Sequence, residues 1–228
     1  MVGCCLCGRL FFIRKGAFVL GHLFNLDGPF SQLLSRLVDI MILNILFILF
    51  CLPLFTVGAS ITALYSVLLK VVRDEEKNIV QSFFIAFKRN FTQSTIIWFV
   101  MVASGLLLLA NFLFLGELDG VVKFFFVSMI AVFGFVYLST LLFIFPYIAR
   151  YEDTIKRSLI NSLLIGISNF RYLVILLLVS GGLALVVLTS SVGLLSGIYI
   201  GTFGGFAILA FLKAYLFRAV FSKYEVST

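Results

Sequence analysis

The chain has 228 residues, 62% of them apolar and 12% charged, and its mean hydropathy is +1.20. Soluble domains have about 45–50% apolar and about 25% charged residues. The 17 basic and 10 acidic side chains are too few to cover a soluble fold with this many large apolar residues. The composition therefore excludes an ordinary soluble domain and predicts an all-α polytopic membrane protein, whose first partner is the lipid bilayer.

Long uncharged stretches indicate where the chain crosses the membrane, because a transmembrane helix needs about 20 largely apolar residues. The stretches lie at 40–69, 90–116, 124–149 and 172–212. The second and third each supply one helix. The fourth is interrupted by Ser and Gly residues and is predicted to form two helices joined by a turn near 190–196. The first is short for two helices and contains Pro53 and Gly58 near its middle.

The basic residues settle how the first stretch is threaded. Sixteen of the seventeen Lys and Arg side chains lie in segments 1–36, 70–93, 148–171 and 213–228. Short cytoplasmic loops carry an excess of basic residues, so residues 37–72 are predicted to cross twice. A single span over 37–57 followed by an interfacial helix, or a re-entrant pair, are the alternatives. Three hairpins follow with both termini cytoplasmic, and their six spans lie near 37–54, 57–72, 94–115, 121–147, 171–190 and 195–217.

Two segments between predicted spans carry amphipathic helical patterns. In 78–91 six apolar residues recur at helical spacing, and 155–170 has a similar pattern. Both are therefore predicted to be cytoplasmic helices at the headgroup boundary. The segments also align with each other, and both end in an Asn-Phe pair, which begins at Asn90 and Asn169. This similarity suggests a parallel internal repeat with a period of about 80 residues; the alternative is that any interfacial helix favours such residues.

Several motifs in the first third of the chain are recognisable. They are Leu23-Phe24-Asn25-Leu26-Asp27-Gly28-Pro29-Phe30, Arg36-Leu37-Val38-Asp39 with Asn44, Leu52-Pro53, Thr56-Val57-Gly58-Ala59-Ser60, Ala63-Leu64-Tyr65, Arg73-Asp74-Glu75, Ser82-Phe83, Phe87-Lys88 and Asn90-Phe91. On these residues the chain resembles the YesL-like family of bacterial membrane proteins, whose biochemical function is unknown. The resemblance implies a multi-pass protein of the bacterial plasma membrane. Members are often encoded beside carbohydrate-uptake and polysaccharide-degradation genes, which implies a role near sugar import.

Residues 1–20 precede the part that resembles this family. They are predicted to be an N-terminal extension to a single transmembrane domain over 21–228; the alternative is that translation starts near the end of this segment. The extension contains Cys4, Cys5 and Cys7, and such residues bind zinc or carry acyl chains. No second Cys or His pair completes a zinc site, so neither a metal nor a cofactor is predicted.

Polar residues inside the spans are the first candidates for chemistry, since such groups are costly at membrane depth. Arg36 and Asp39 lie three residues apart at the inner end of the first span, a spacing that allows an ion pair. The pair either anchors the helix at the interface or forms a proton or substrate site. Asn44 and Asn111 lie deeper and are predicted to hydrogen-bond between helices.

The interruption of the first stretch supplies the second group of candidates, which are Pro53, Thr56, Gly58 and Ser60. Backbone groups freed at such a break, together with the hydroxyls, are able to line a small polar cavity, as in carriers with broken helices. The alternative is that a tight turn needs the same residues for geometry alone, with Gly58 as its pivot through a positive φ or a close backbone approach.

Three classes of function follow from these features. The first is an accessory protein that binds a membrane partner, such as the permease of a sugar importer or a membrane sensor. The second is a small-solute carrier, which the repeat and the broken stretch favour and the scarcity of membrane-embedded charge disfavours. An enzyme is not predicted, because no catalytic dyad, metal set or carboxylate pair occurs at membrane depth. Since the basic residues mark loops, no nucleic-acid partner is predicted either.

Overall fold

The computed structural model describes residues 29–73, 75, 78–117 and 119–225, and every regular element in this part is helical. The chain divides into two compact units, residues 1–42 and 43–228. The predicted extension over 1–20 and the start of the first motif lie outside the described residues. The prediction of an all-α fold is confirmed for the part that the structure describes.

Eight α-helices are present in the described part. They are α1 (Pro29–Cys51), α2 (Val57–Val71), α3 (Ile79–Phe114), α4 (Gly120–Arg150), α5 (Ile155–Ser168), α6 (Phe170–Thr189), α7 (Ser191–Ile200) and α8 (Phe206–Glu225). Short 3₁₀ turns occupy Leu54–Thr56 and Leu115–Glu117, and a π-helical segment occupies Gly201–Gly205. Six helical stretches are long and apolar enough to cross a membrane, in agreement with the six predicted spans. The turn predicted near 190–196 is a single extended residue, Ser190.

Helix α3 joins the first amphipathic segment to the third predicted span. The prediction of a separate interfacial helix over 78–91 is therefore wrong, because the 36-residue helix has no break there. Neither Pro nor Gly occurs between Ile79 and Ser104, and two polar side chains near the expected boundary have partners inside the bundle. Asn90 Nδ2 donates to Ala86 O at 3.1 Å, and Ser94 Oγ lies 2.9 Å from Thr62 Oγ1 of α2. The second amphipathic segment is a separate helix, α5, as predicted.

The core of the larger unit is built around α2, most of whose residues are buried. Small residues on this helix, such as Ala59 and Ala63, let the neighbouring helices approach closely. Three helices, α3, α4 and α8, pack against it. Each contributes a large side chain that is 0% exposed, namely Phe83, Phe143 and Phe217. This packed half positions the polar groups described below.

The rest of the long helices carries a different surface. In 102–138 and 177–200 most large apolar side chains are exposed, among them Leu107 (66%), Val121 (86%) and Leu188 (73%). Such a surface is unfavourable in water and suits lipid tails, which are as apolar as Leu. These two regions therefore form the lipid-facing half of the larger unit.

Polar contacts join the helices at the end away from the lipid-facing half. Arg218 Nη1 of α8 donates to Val72 O after α2 at 2.6 Å, and Asn169 Nδ2 donates to the hydroxyl of Tyr224 at 2.8 Å. Asn169 Nδ2 also donates to the carbonyl four residues before it, Ile165 O, as Asn90 does in α3. We call this region the basic end, and it is formed by residues 70–73, 78–93, 148–171 and 213–225.

From Leu43 onward, aromatic side chains of α1 contact helices that are distant in sequence. Phe47 lies 6.1 Å from Phe206 of α8, and Phe50 lies 4.8 Å from Phe87 of α3, measured between ring centroids. These contacts attach the second half of α1 to the core of the larger unit.

A close crossing of α2 over α3 occurs at Gly58. A Cβ atom at this position would lie 2.6 Å from Ser94 O and 2.7 Å from Trp98 Cβ. Ser94 O is a backbone atom and cannot rotate away. Gly58 does not have a positive φ, so glycine is needed here for the close backbone approach and not for its conformation.

The variant Gly58→Val is expected to lower the free energy of unfolding by about 2 kcal/mol, because overpacking at a close contact costs about 1–3 kcal/mol. Gly116→Val is the matched control, since a Cβ at Gly116 would meet nothing within 4 Å. Thermal unfolding in detergent measures the difference. Equal unfolding temperatures for the two variants would show that the crossing at Gly58 does not constrain the fold.

Candidate functional site

The last predicted span contains a break that its hydropathy does not reveal. The span predicted as one helix over 195–217 is two helices, α7 and α8, joined by the π-helical segment. Gly204 in this segment has φ 135° and ψ −5°, a conformation that favours glycine. Glycine is also required at Gly205, where a Cβ would lie 2.7 Å from Ile200 O. Kinks and π segments inside helices often occur at functional sites.

Asn44 of α1 hydrogen-bonds to the backbone at this break and is 0% exposed. Its Nδ2 donates to Gly201 O and to Thr202 O, both at 3.0 Å, and its Oδ1 accepts a hydrogen bond from Ala207 N at 3.1 Å. One amide side chain thus satisfies three backbone groups that the kink takes out of helical geometry. In lipid each unsatisfied backbone group costs several kcal/mol. Asn44 therefore does bond between helices, and its partners are backbone groups.

Pro53 and Thr56 shape the turn between α1 and α2. Thr56 Oγ1 lies 2.6 Å from Phe50 O and 2.7 Å from Pro53 O, and its hydroxyl donates to these carbonyls. Trp98 Nε1 of α3 donates to Leu54 O at 3.0 Å. Donors within the protein thus hydrogen-bond to carbonyl groups that have no helical partner at the turn. This arrangement favours the geometric explanation of the turn over a polar cavity.

The remaining candidates are Ser60, Asn111, Arg36 and Asp39. Ser60 is 0% exposed on α2. Asn111 Nδ2 donates to Leu107 O of its own helix, so the prediction of a bond between helices is wrong for this residue. Asn111 is exposed, and the carbonyl one turn back in α3 is the partner within reach of its amide. Arg36 and Asp39 lie in the unit of residues 1–42, where Arg36 is exposed; their ion pair stays a prediction.

A polar network at the basic end was not predicted from the sequence. The Tyr147 hydroxyl donates to Asp153 Oδ2 at 2.5 Å, and Asn161 Nδ2 donates to the Tyr147 oxygen at 2.9 Å. Gln93 Nε2 donates to Asp153 O at 2.8 Å and to Ser158 Oγ at 3.1 Å. The network joins α3, α4 and α5. Gln93 is distant in sequence from the other members, which all lie between Tyr147 and Asn161, so little in the sequence indicated the network.

Both polar arrangements hold helices together. No group of three His, Cys, Asp or Glu side chains able to hold a metal ion occurs in the described part of the chain. The carboxylate of Asp153 is engaged by the Tyr147 hydroxyl. The break in the last span is satisfied by Asn44. The geometry therefore supports a structural use of both polar sites.

Comparison with known proteins gives one match. A family model described as protein of unknown function, DUF624, matches residues 40–112, which are 73 of the 228 residues. The matched part contains Asn44, the turn at Pro53 and the crossing at Gly58, but not the break at Gly201–Gly205. No curated protein and no solved structure matches the chain.

We expect Asn44→Ala to lower the free energy of unfolding by about 2 kcal/mol or more, because buried groups left unpaired cost about 1–3 kcal/mol each. Asn111→Ala is the matched control and is expected to cost less than about 0.5 kcal/mol, since its amide is exposed and bonds within its own helix. Denaturant titration in mixed micelles measures both values. The role assigned to Asn44 would be refuted by a loss no larger than that of Asn111→Ala.

Proposed function

We propose that this chain is a YesL-like multi-pass protein of the bacterial plasma membrane that acts by binding another membrane protein, and not by catalysis. The six apolar helices and the match to a family of unknown function are consistent with a membrane protein of this kind. The motifs between Leu23 and Phe91 support the YesL-like family and, with it, the bacterial plasma membrane.

The observation that carries the proposal is the open surface of α6. Gly181 and Gly182 lie inside this helix, and a Cβ at either position would meet nothing within 4 Å. Glycine in a helix costs about 1 kcal/mol relative to alanine, and no close contact with another described residue requires it here. Membrane helices associate through small residues such as the neighbouring Ser180 and Ala184, which let backbones approach. A helix of a second protein fits this surface.

The partner we propose is the permease of a sugar importer or a membrane sensor. The support is the resemblance to proteins encoded beside carbohydrate-uptake genes. The exposed apolar side chains of 102–138 and 177–200 are suited to a partner that is itself embedded in lipid. Short connections such as Ser190 and Tyr151–Thr154 leave little of the described chain outside the bilayer for a soluble partner.

A small-solute carrier is the second candidate, because the last span is broken at Gly201–Gly205. Discontinuous helices expose carbonyls and helix ends to substrate in many carriers. In this chain Asn44 occupies Gly201 O, Thr202 O and Ala207 N. These groups would have to be released before they bind a solute, whereas partner binding needs no such rearrangement.

Partner binding is tested with a tagged full-length chain that is captured from its native membrane. We expect Gly181→Ile to reduce the amount of co-purified permease or sensor about tenfold, which corresponds to about 1.4 kcal/mol of lost helix contact. The amount of monodisperse protein should not change, because the glycine faces open space. Leu185→Ile, one turn further along α6 and 68% exposed, is the control.

Two results would contradict the proposal. The first is equal capture of the same partner by Gly181→Ile and Leu185→Ile. The second is uptake of labelled sugar by the purified chain alone in vesicles, with no partner present. The second result would favour the carrier.

We also propose that both termini face the cytoplasm, because the basic segments meet at one end of the helices. Single cysteines at Asp119 and Ser190, in a chain without other cysteines, are expected to react with an impermeant reagent added outside intact cells. Cysteines at Lys156 and Ser222 should react only after the cells are opened. Labelling of Lys156 from outside would overturn this orientation.

A further inference from the structure

A cleft of about 590 Å³ opens at the basic end between α3 and the start of α5. Its wall carries the basic side chains of Arg89 and Lys156 and the hydroxyls of Thr92 and Thr154. Thr154 precedes the first turn of α5, and its hydroxyl makes no capping bond to that helix. The positive end of the α5 dipole adds to the two basic groups. The lining therefore suits an anionic group.

Asp153 also lines the cleft, and its carboxylate is already hydrogen-bonded within the protein. Asp153 Oδ2 accepts hydrogen bonds from the Tyr147 hydroxyl and from Asn161 Nδ2. Glu152 lies 3.2 Å from Arg89, but its side chain is 77% exposed. An exposed pair of this kind contributes little, about 0–1 kcal/mol. The ammonium of Lys156 has no ion-pair or hydrogen-bond partner among the described residues.

A second cavity lies further along α3, on the lipid-facing half. It has a volume of about 390 Å³ and is lined mainly by apolar side chains of α3 and α4, among them Leu107 and Phe133. Ser104, Asn111 and Tyr137 add a few polar atoms to the wall. Leu107 and Phe133 are themselves more than half exposed, so the cavity opens toward lipid. Its shape and lining suit a hydrocarbon chain.

The cleft and the second cavity lie on the same face of α3. Positions 89, 93, 96, 100, 104, 107 and 111 are three or four residues apart, and at 3.6 residues per turn they form one stripe. Ile96 and Val100 connect the two cavities along this stripe and are 43% and 47% exposed. The rise from Arg89 to Ser104 is about 22 Å at 1.5 Å per residue. One leaflet of a bilayer, half of about 40–45 Å, has the same thickness.

We propose that this stripe is the binding site of one anionic phospholipid molecule. Arg89 and Lys156 hold its phosphate in the cleft, and an acyl chain lies along Ile96 and Val100 into the cavity at Leu107. The apolar cavity alone would accept the chain of any lipid. Arg89, one leaflet away on the same face of α3, and Lys156 of α5 make the site selective for a negative headgroup. This site is separate from the partner surface of α6.

The test measures lipid binding to the purified full-length chain by native mass spectrometry from detergent. The probes are phosphatidylglycerol and phosphatidylcholine with the same acyl chains, and glycerol phosphate as the headgroup without chains. We expect phosphatidylglycerol to bind about tenfold more tightly than phosphatidylcholine, a difference that two cations at a headgroup are able to supply. Glycerol phosphate should not bind at the same concentration, because it lacks the chain that fills the second cavity. Tight binding of glycerol phosphate would indicate a site for soluble phosphates and overturn the lipid proposal.

The double variant Arg89→Gln, Lys156→Gln is expected to lose the preference for phosphatidylglycerol. Arg157→Gln is the matched control, since Arg157 is exposed on the same helix and does not line the cleft. Leu107→Trp, which fills the second cavity, should weaken the binding of both lipids and keep the preference for phosphatidylglycerol. Equal binding of the two lipids by the unaltered chain would overturn the proposal whether or not the variants fold, and so would an equal loss of preference in Arg157→Gln.

Discussion

A break in a membrane helix must be paired from within the protein, and this constraint governs the larger unit. At Gly204 the last span departs from helical geometry. Backbone carbonyl and amide groups within about one turn of Gly204 therefore lose their helical hydrogen-bond partners. Lipid has no donors or acceptors to replace them. Asn44 supplies both kinds of group from another helix. These hydrogen bonds fix the position of α1 from Leu43 onward relative to the last span.

The same unit has two kinds of surface, and each suits its surroundings. Around α2 and at the basic end, small residues and polar side chains pack closely, as at Gly58 against Ser94 and in the network around Asp153. In 102–138 and 177–200, the helices present Leu, Val and Phe to lipid. Gly181 and Gly182 of α6 have no close neighbour among the residues that the structure describes. This contrast explains why we look for a partner on the lipid-facing half and for an anionic headgroup at the basic end.

The number and approximate limits of the spans could be predicted because they depend on one property of the sequence, the length of its apolar stretches. The interruption at Ser190 could be predicted for the same reason, since Ser and Gly punctuate the stretch. The continuity of α3 could not be predicted, because the polar residues near Ser94 resemble the end of a membrane span. The structure shows that Ser94 instead hydrogen-bonds to Thr62 of α2. Asn44 and Asn111 looked alike in sequence. Their partners differ because one faces the last span and the other faces lipid, and only the packing of helices distinguishes these surroundings.

The central claim is that Asn44 pairs the backbone of the broken span, and amide hydrogen exchange tests it most directly. Exchange of a peptide covering Gly201 to Phe211 is compared between the unaltered chain and Asn44→Ala in lipid nanodiscs, with a peptide from α5 as internal reference. The account predicts that the amide of Ala207 exchanges about tenfold faster or more in the variant, since about 1.4 kcal/mol of lost protection is a factor of ten, while α5 is unchanged. Equal exchange of the Gly201–Phe211 peptide in both proteins would contradict it.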